Sequence, residues 1–219
     1  GYAMAIEDHV GGENGRGPVV DQFLSKPAVS LFDRPGVGLH LPIRETPELP
    51  SDVLADWVSP LKFGATLGDG QDDSKAIQAA IDSGATTIYL PRGDWHIGHT
   101  IEIRGNARRI IGCKAMLNIV GPLRDEAAPV FRFADGTDAK SNGPPIVEME
   151  GLHTDFSNGP YVFVENTSRR TLVLRRLMIN FQGARAYHGK GPGTVFIEDI
   201  VGRYFHFEGQ TVWARQFNV

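Results

Sequence analysis

The feature that most constrains the fold of this chain is a short pattern, apolar–x–apolar–x–x–apolar, that recurs through its second half. It starts at Val147 (VEMEGL), Leu172 (LVLRRL), Val195 (VFIEDI) and Val212 (VWARQF), at intervals that shorten towards the C-terminus. Aligned, the copies give one apolar column of Met149, Leu174, Ile197 and Ala214 and a second of Leu152, Leu177, Ile200 and Phe217. Between them falls a column of Glu150, Arg175, Glu198 and Arg215, which alternates in charge. Neighbours in a column of parallel, in-register strands lie about 4.8 Å apart. At that distance like charges repel and unlike charges pair. The pattern therefore predicts stacked coils of a parallel solenoid whose turns differ in length. A β-sandwich would also supply many short strands, but not a repeated motif with a complementary charge column.

The rest of the chain fits this reading. From Thr87 onward short segments with alternating apolar residues, such as TIYLP, TIEIR, YVFVEN and RYFHF, are separated by Gly, Asn, Asp or Pro. Ahead of them, Ala76, Ile77, Ala80 and Ile81 form one apolar stripe, which predicts an amphipathic helix over about 73–83. Asp72 or Asp73 is placed to satisfy its first-turn N–H groups, and Gly84 to end it in a left-handed conformation. Its expected task is to cover the open end of the strand stack. Residues 1–60 are different: prolines at 27, 35, 42, 47, 50 and 60 and the turn-rich GGENGRG exclude long helices and central strands. They read as an extended Pro/Gly-rich arm packed on a β-helix domain of residues 61–219. That domain ends in the strand-like VWARQFNV with no capping element. A repeat stack needs a cap at each end, so the expectation is a truncated helix that self-associates through its open end.

The segment Phe63–Ile81, FGATLGDGQDDSKAIQAAI, carries a family resemblance. Phe63, Gly64, Ala65, Gly68, Asp69, Gly70, Asp72, Asp73, Ser74, Ala76, Ile77, Gln78, Ala80 and Ile81 fit the F-G-A-x-G-D-G-x-x-D-D-[ST]-x-A-I-Q-x-A-I opening of the pectate-lyase-like (pectin lyase fold) proteins, with one extra residue after Ala65. The chain from about Val58 to Val219 resembles the N-terminal portion of such a protein. The resemblance implies an all-β fold, a single-stranded right-handed parallel β-helix. It also implies a polysaccharide lyase, a glycoside hydrolase or a tailspike-like assembly module, in an extracellular or periplasmic setting. In such enzymes the active site lies on the middle coils.

Composition excludes other classes. The formal net charge is −4, and the basic pairs Arg108-Arg109, Arg169-Arg170 and Arg175-Arg176 are dispersed, so no nucleic-acid footprint exists. No stretch approaches the ~20 apolar residues of a membrane helix. Cys113 is the only cysteine, and its apolar surroundings, RIIGC, predict a buried, inert thiol.

Chemistry must reside at outward positions. For glycoside hydrolysis, two carboxylates flank the scissile bond, and Asp155, Glu198 and Asp199 are the candidates. For a lyase, a base removes the proton α to a uronate carboxylate while cations neutralise the enolate; Arg175, Arg176, Arg203 and His206 are suited to that. The competing account of Glu198 is the ion-pair ladder, and of Asp155, in GLHTDFSNGP, a turn. Tyr161, Phe163, Tyr187, Phe205 and Trp213 could stack on sugar rings, although alternation predicts Phe163 and Phe205 in the core, with Tyr161 beside them. Asp69, Asp72 and Asp73 lack EF-hand spacing. His153, His188 and His206 stand too far apart in sequence to form a recognisable metal set, so neither a metal nor another cofactor is expected. HGKGPG at 188–193 reads as a solvent loop, and Asn166-Thr-Ser as a chance glycosylation sequon.

Overall fold

The computed structural model describes residues 6–7, 14–15, 19–20, 43–135, 145–154, 159–179, 185–202 and 205–218. The chain divides into two compact units, Gly1–Pro47 and Glu48–Val219. In the first, β1 (Ile6–Glu7) pairs antiparallel with β2 (Asn14–Gly15), and β3 (Val19–Val20) with β4 (Ile43–Arg44).

Residues 48–58 are bonded into the second unit. Arg109 donates through Nη2 to Leu49 O at 2.8 Å and through Nη1 to Pro50 O at 3.2 Å. The Asp52 carboxylate is almost completely buried, accepts from Thr86 Oγ1 at 2.9 Å, and also bonds Thr87 Oγ1 and Arg108. β5 (Trp57–Val58) then pairs in parallel with β6 (Thr87–Leu90).

The second unit is a parallel β-helix. Beyond β6 the strands are β7 (Gly93–Ile97), β8 (Ile101–Ile103), β9 (Arg109–Ile119), β10 (Pro129–Phe133), β11 (Ile146–Thr154) and β12 (Val162–Asn166). They continue as β13 (Thr171–Arg175), β14 (Arg185–Gly189), β15 (Thr194–Val201), β16 (Phe205–Phe207) and β17 (Thr211–Asn218). From β8 onward successive strands alternate between two sheets. One has the order β17-β15-β13-β11-β9-β6-β5, with β7 beside the second half of β9, and the other β16-β14-β12-β10-β8. Every pairing in both sheets is parallel.

The register is the one the sequence repeat requires. Glu150 is opposite Arg175, Arg175 opposite Glu198, and Glu198 opposite Arg215. Met149, Leu174 and Ile197 are buried in one inward column, and Leu152, Leu177 and Ile200 in the next. Ala214, on the last strand, is exposed and Val212 half-buried; the side chains of Arg215 and Phe217 lie outside the described residues.

The two x positions before the last apolar residue of the motif have a conformational cause. Gly151, Arg176 and Asp199 stack in consecutive coils, and all are left-handed, with φ of 69°, 48° and 52°. A left-handed residue breaks the period of two and bends the strand, so Met149 and Leu152 both face the core across an odd spacing. For non-glycine residues this conformation costs roughly 1 kcal/mol, and hydrogen bonds through the bend offset it. Arg176 N donates to Glu198 O at 3.1 Å, Met178 N to Leu152 O at 3.1 Å and Val201 N to Leu177 O at 3.0 Å.

The structure corrects the expectation for Cys113, which precedes the same bend. Ile111 is opposite Glu150 and Ala115 opposite Leu152, so Gly112, Cys113 and Lys114 together face the single residue Gly151. Cys113 stands three residues after inward-facing Ile110, so alternation alone points it outward, and the thiol is exposed rather than buried. The bulge adds Lys114 to the exposed side.

The N-terminal helix α1 (Ser74–Asp82) covers the first coils, with Ile77 and Ile81 each 1% exposed inside the core cluster. Asp72 Oδ1 accepts from Ser74 N at 2.9 Å and from Gly98 N at 2.8 Å, and its Oδ2 contacts His99 Nδ1 at 2.7 Å. Burial works to raise the Asp72 pKa, but the bonds from Ser74, Gly98 and His99 outweigh it and hold the carboxyl below 3.8. Asp73 accepts instead from His96 N at 3.0 Å and Thr66 N at 3.3 Å, and burial outweighs these bonds, raising its pKa. The two carboxylates thus tie the Gly-rich turn, the helix and the strand β7 together. Gly84 follows the helix at φ 87°. A second short helix, α2 (Gly121–Asp125), leads from β9 towards β10.

Two substitutions test this account. Ile81→Asp places a charge in the core beneath the cap, where a fully buried Ile is worth roughly 1.5–3 kcal/mol; it is expected to abolish cooperative thermal unfolding. A Cβ at Gly151 would lie 2.1 Å from Gly112 O. Gly151→Ala is therefore expected to lower stability by more than about 1 kcal/mol in urea titration, and a neutral result would refute the bend.

Candidate functional site

Each sheet carries one outward polar column. In the bent sheet, Glu148 is 4% and Arg109 7% exposed, and Arg109 Nε donates to Glu148 Oε2 at 3.0 Å. Arg175 lies 3.2 Å from Glu148 Oε1 and 3.0 Å from Glu198 Oε2. Glu150 pairs with Arg176, not with Arg175. The expected register therefore holds, but the partner of Glu150 is the bend residue. The left-handed turn at Arg176 sets its side chain beside Glu150, and buried Glu148 takes the freed guanidinium face of Arg175.

Among the candidate catalytic residues, Glu198 is held in the ion pair with Arg175. Asp199 is exposed and occupies the bend, a conformation that Asp tolerates better than most residues. Asp155 and Arg203 lie outside the described residues. The structure thus places Glu198 and Asp199 next to Arg175 and Arg176 on neighbouring coils, and His206 in the other sheet.

In that other sheet the outward column runs Glu102, Arg132, Glu165, His188, His206, each in register with the next. Arg132 bonds Glu102 Oε1 at 2.9 Å and Glu165 Oε1 at 3.1 Å, while Lys190 Nζ donates to Glu165 Oε2 at 3.0 Å. Burial works to raise the pKa of Glu165, but the bonds and charges of Lys190 and Arg132 outweigh it, so the carboxyl stays below its ordinary 4.5. Beyond Glu165 the column changes character. His188 and His206 meet edge-to-face with ring centroids 5.1 Å apart, and Glu208 Oε1 lies 2.9 Å from His206 Nε2 and 3.5 Å from His188 Nε2. The hydrogen bond from His206, with the nearby His188 ring, lowers the Glu208 pKa. Among the described residues this is the group of three potential metal ligands whose donor atoms converge within 4.8 Å.

This cluster corrects two expectations. The histidines are distant in sequence but adjacent in space, because each falls at the same point of successive coils. And His188-Gly189 is not in a solvent loop: it ends strand β14, with His188 7% exposed. The missed signal was the H-x-E at 206–208, which begins in β16, set against the histidine one coil earlier. His153 lies apart, in β11.

Tyr161 and Phe163 are buried, as expected, but so are Val162 and Val164 between and beside them and the stacking candidate Tyr187, while Phe205 packs half-buried against the core. Trp213 stacks on Phe196 with centroids 6.4 Å apart. Asn166, the first residue of the sequon, is completely buried, accepts from Ser168 N at 3.0 Å and donates to Tyr187 Oη at 3.3 Å. Its amide therefore serves the coil interior.

No protein-family model matches the chain. Alginate lyase 7 of Azotobacter vinelandii is 41% identical over 86 residues, which cover 37% of this chain and 9% of that protein. Mannuronan C5-epimerase AlgE2 of the same organism is 30% identical over 139 residues, 53% of this chain and 14% of the epimerase. An electron transfer flavoprotein subunit alpha of Bradyrhizobium diazoefficiens is 30% identical over 152 residues, 57% of this chain and 43% of that protein. The chain thus spans less than half the length of each of these relatives. Among solved structures, ORF18 of Geobacillus virus E2 aligns with a TM-score of 0.44 at 17% identity, over 74% of this chain and 41% of that one. The A-module of Azotobacter vinelandii mannuronan C-5 epimerase AlgE4 gives the same TM-score, identity and share of this chain, covering 52% of the module.

Two measurements check the electrostatics. Glu148→Ala leaves the buried Arg109 guanidinium without its carboxylate and Arg175 with Glu198 alone, and is expected to cost about 3–5 kcal/mol in chemical denaturation. Glu198→Ala, at a more exposed pair, is expected to cost about 0–1 kcal/mol. Because the folded pKa of Glu165 is depressed, its contribution is present above about pH 4.5 and is lost as pH falls through the folded value. Glu165→Gln is therefore expected to flatten part of the acid limb of the stability–pH curve, with less effect on the Asp72 contribution.

Proposed function

We propose that this chain is a polysaccharide-active β-helix protein whose substrate is a uronate-containing polymer. The observation that carries the proposal is the identity, over segments of this parallel solenoid, to proteins named as an alginate lyase and a mannuronan C5-epimerase. A solenoid face suits a linear polymer because equivalent positions recur along it.

Both named reactions begin with the same chemical demand. The proton at C5, α to the carboxylate, must be removed while the developing negative charge on that carboxylate is stabilised. The bend column offers groups of the right kind. Lys114, Arg176 and Asp199 are exposed along it, with Gly151 between the two cations. Lys114 and Arg176 are separated by two strand spacings, roughly 10 Å, a placement suited to carboxylates recurring along an extended chain. Asp199, next to Arg176, is the described carboxylate best placed to exchange a proton beside a bound uronate. Asp155 and Arg203 remain further candidates for the same reaction. Such a substrate would place the protein outside the cytoplasm; no helix among the described residues is long and apolar enough to cross a membrane.

Incubation with mannuronan, alginate and polygalacturonate in deuterated water tests this reading, because lyase and epimerase chemistry both lead through C5 proton loss. The expected outcome is deuterium at C5, or an unsaturated uronate end, with one polymer. Arg176→Ala is expected to raise KM and Asp199→Asn to lower kcat. Binding without exchange would make the chain a carbohydrate-binding module, and neither binding nor exchange would overturn the proposal.

A further inference from the structure

The cluster at the end of the second outward column has the attributes of a built ligand site. His188 comes from β14 and His206 from β16, directly opposite each other in a parallel register. Glu208 follows the end of β16, and its Oε1 lies 2.9 Å from His206 Nε2, on the same side as the two rings. Glu208 is fixed from below: its N–H donates to Gly189 O at 2.7 Å, next to His188. Tyr187 Oη donates to Gln210 Oε1 at 2.7 Å and its ring packs 5.4 Å from Phe207, which anchors both ends of the turn. Gly189 leaves room for this contact: a Cβ there would lie 1.9 Å from Gln210 Oε1 and displace that side chain.

His188 Nε2 is the atom that lacks a role. It is buried, makes no hydrogen bond, and points at Glu208 across 3.5 Å. A buried ring nitrogen left unsatisfied costs free energy comparable to a lost hydrogen bond. Its neighbours at this point are an imidazole nitrogen and a carboxylate oxygen, both common ligands of a metal ion. Donor atoms around a four-coordinate ion with bonds of about 2.0–2.1 Å lie roughly 3.3 Å from one another. The 2.9 and 3.5 Å separations here bracket that value.

We propose that His188 Nε2, His206 Nε2 and a Glu208 carboxylate oxygen form a binding site for a divalent transition metal of the zinc, copper or nickel class. Two imidazoles and one carboxylate favour these ions over calcium or magnesium, which take oxygen ligands. The side chains of His206 and Glu208 are 51% and 56% exposed, so a position on the ion stays open to water or to a ligand group. The site lies on the other sheet from the bend column and is independent of the polysaccharide reading.

The test is titration of the tag-free, chelator-treated protein with cobalt(II) chloride, read by visible d–d absorption and by competition with zinc chloride. One cobalt per chain is expected, with bands of low coordination number that zinc removes and calcium chloride does not. His206→Ala and Glu208→Gln change exposed side chains, so far-UV circular dichroism and Tm without metal are expected to match the parent. Each is expected to weaken cobalt binding by roughly 10-fold or more, the scale reached even by loss of outer partners. His153→Ala is the control and is expected to bind as the parent does. No saturable binding by the parent, or binding that survives in both cluster variants, overturns the proposal.

Discussion

Everything in this unit depends on one constraint: successive coils stack in register, so each residue is judged by what occupies the same position one coil earlier and one coil later. That constraint converts sequence into columns. An inward column must be apolar, as Met149, Leu174 and Ile197 are, and their near-complete burial supplies most of the driving force. An outward column must avoid like charges at strand spacing. A bend column must tolerate a left-handed backbone, which Gly151 and Asp199 do readily and Arg176 does with help from the hydrogen bonds that run through it.

Columns of this kind are legible wherever the repeat is regular. The registers of β11, β13, β15 and β17, the inward apolar columns and the capping helix could all be read from residue type. Each is fixed by interactions that residue type determines: burial, charge and the stripe of a helix. The bend was present in the odd spacing of the motif, but its conformational cause lay in backbone dihedrals that Arg176 and Lys114 do not advertise. Cys113 was misplaced for a simpler reason. An apolar run implies burial only at alternate positions, and Cys113 falls on the outward set that starts at Ile111, on the face away from buried Ile110.

The site was less legible than the fold. Segments of the second sheet are short, their connections vary in length, and their repeat is not visible as a motif. His188 and His206 share a column only because β14 and β16 are aligned by the coils around them. At 48–58, Pro50 excludes a central strand, yet the buried Asp52 and the Arg109 guanidinium fasten the segment to the first coils. Tertiary hydrogen bonds to carbonyl oxygens leave no mark on composition.

The two outward columns solve the same electrostatic problem differently. In the bent sheet the alternation of sign continues, and the extra cation at Arg176 is matched by Glu150 one coil away. In the second sheet Glu102, Arg132 and Glu165 alternate, and the next position should be a cation. It is His188, and Lys190, two residues on, supplies the positive charge to Glu165 instead. His188 is thereby released from the ladder, and the following position is again histidine, so alternation stops. Two imidazoles in adjacent coils are compatible only if they are not both charged or if something negative faces both. Glu208 is that negative group, held against Gly189 by its own backbone. At this point of the column two nitrogen donors and a carboxylate converge at the surface.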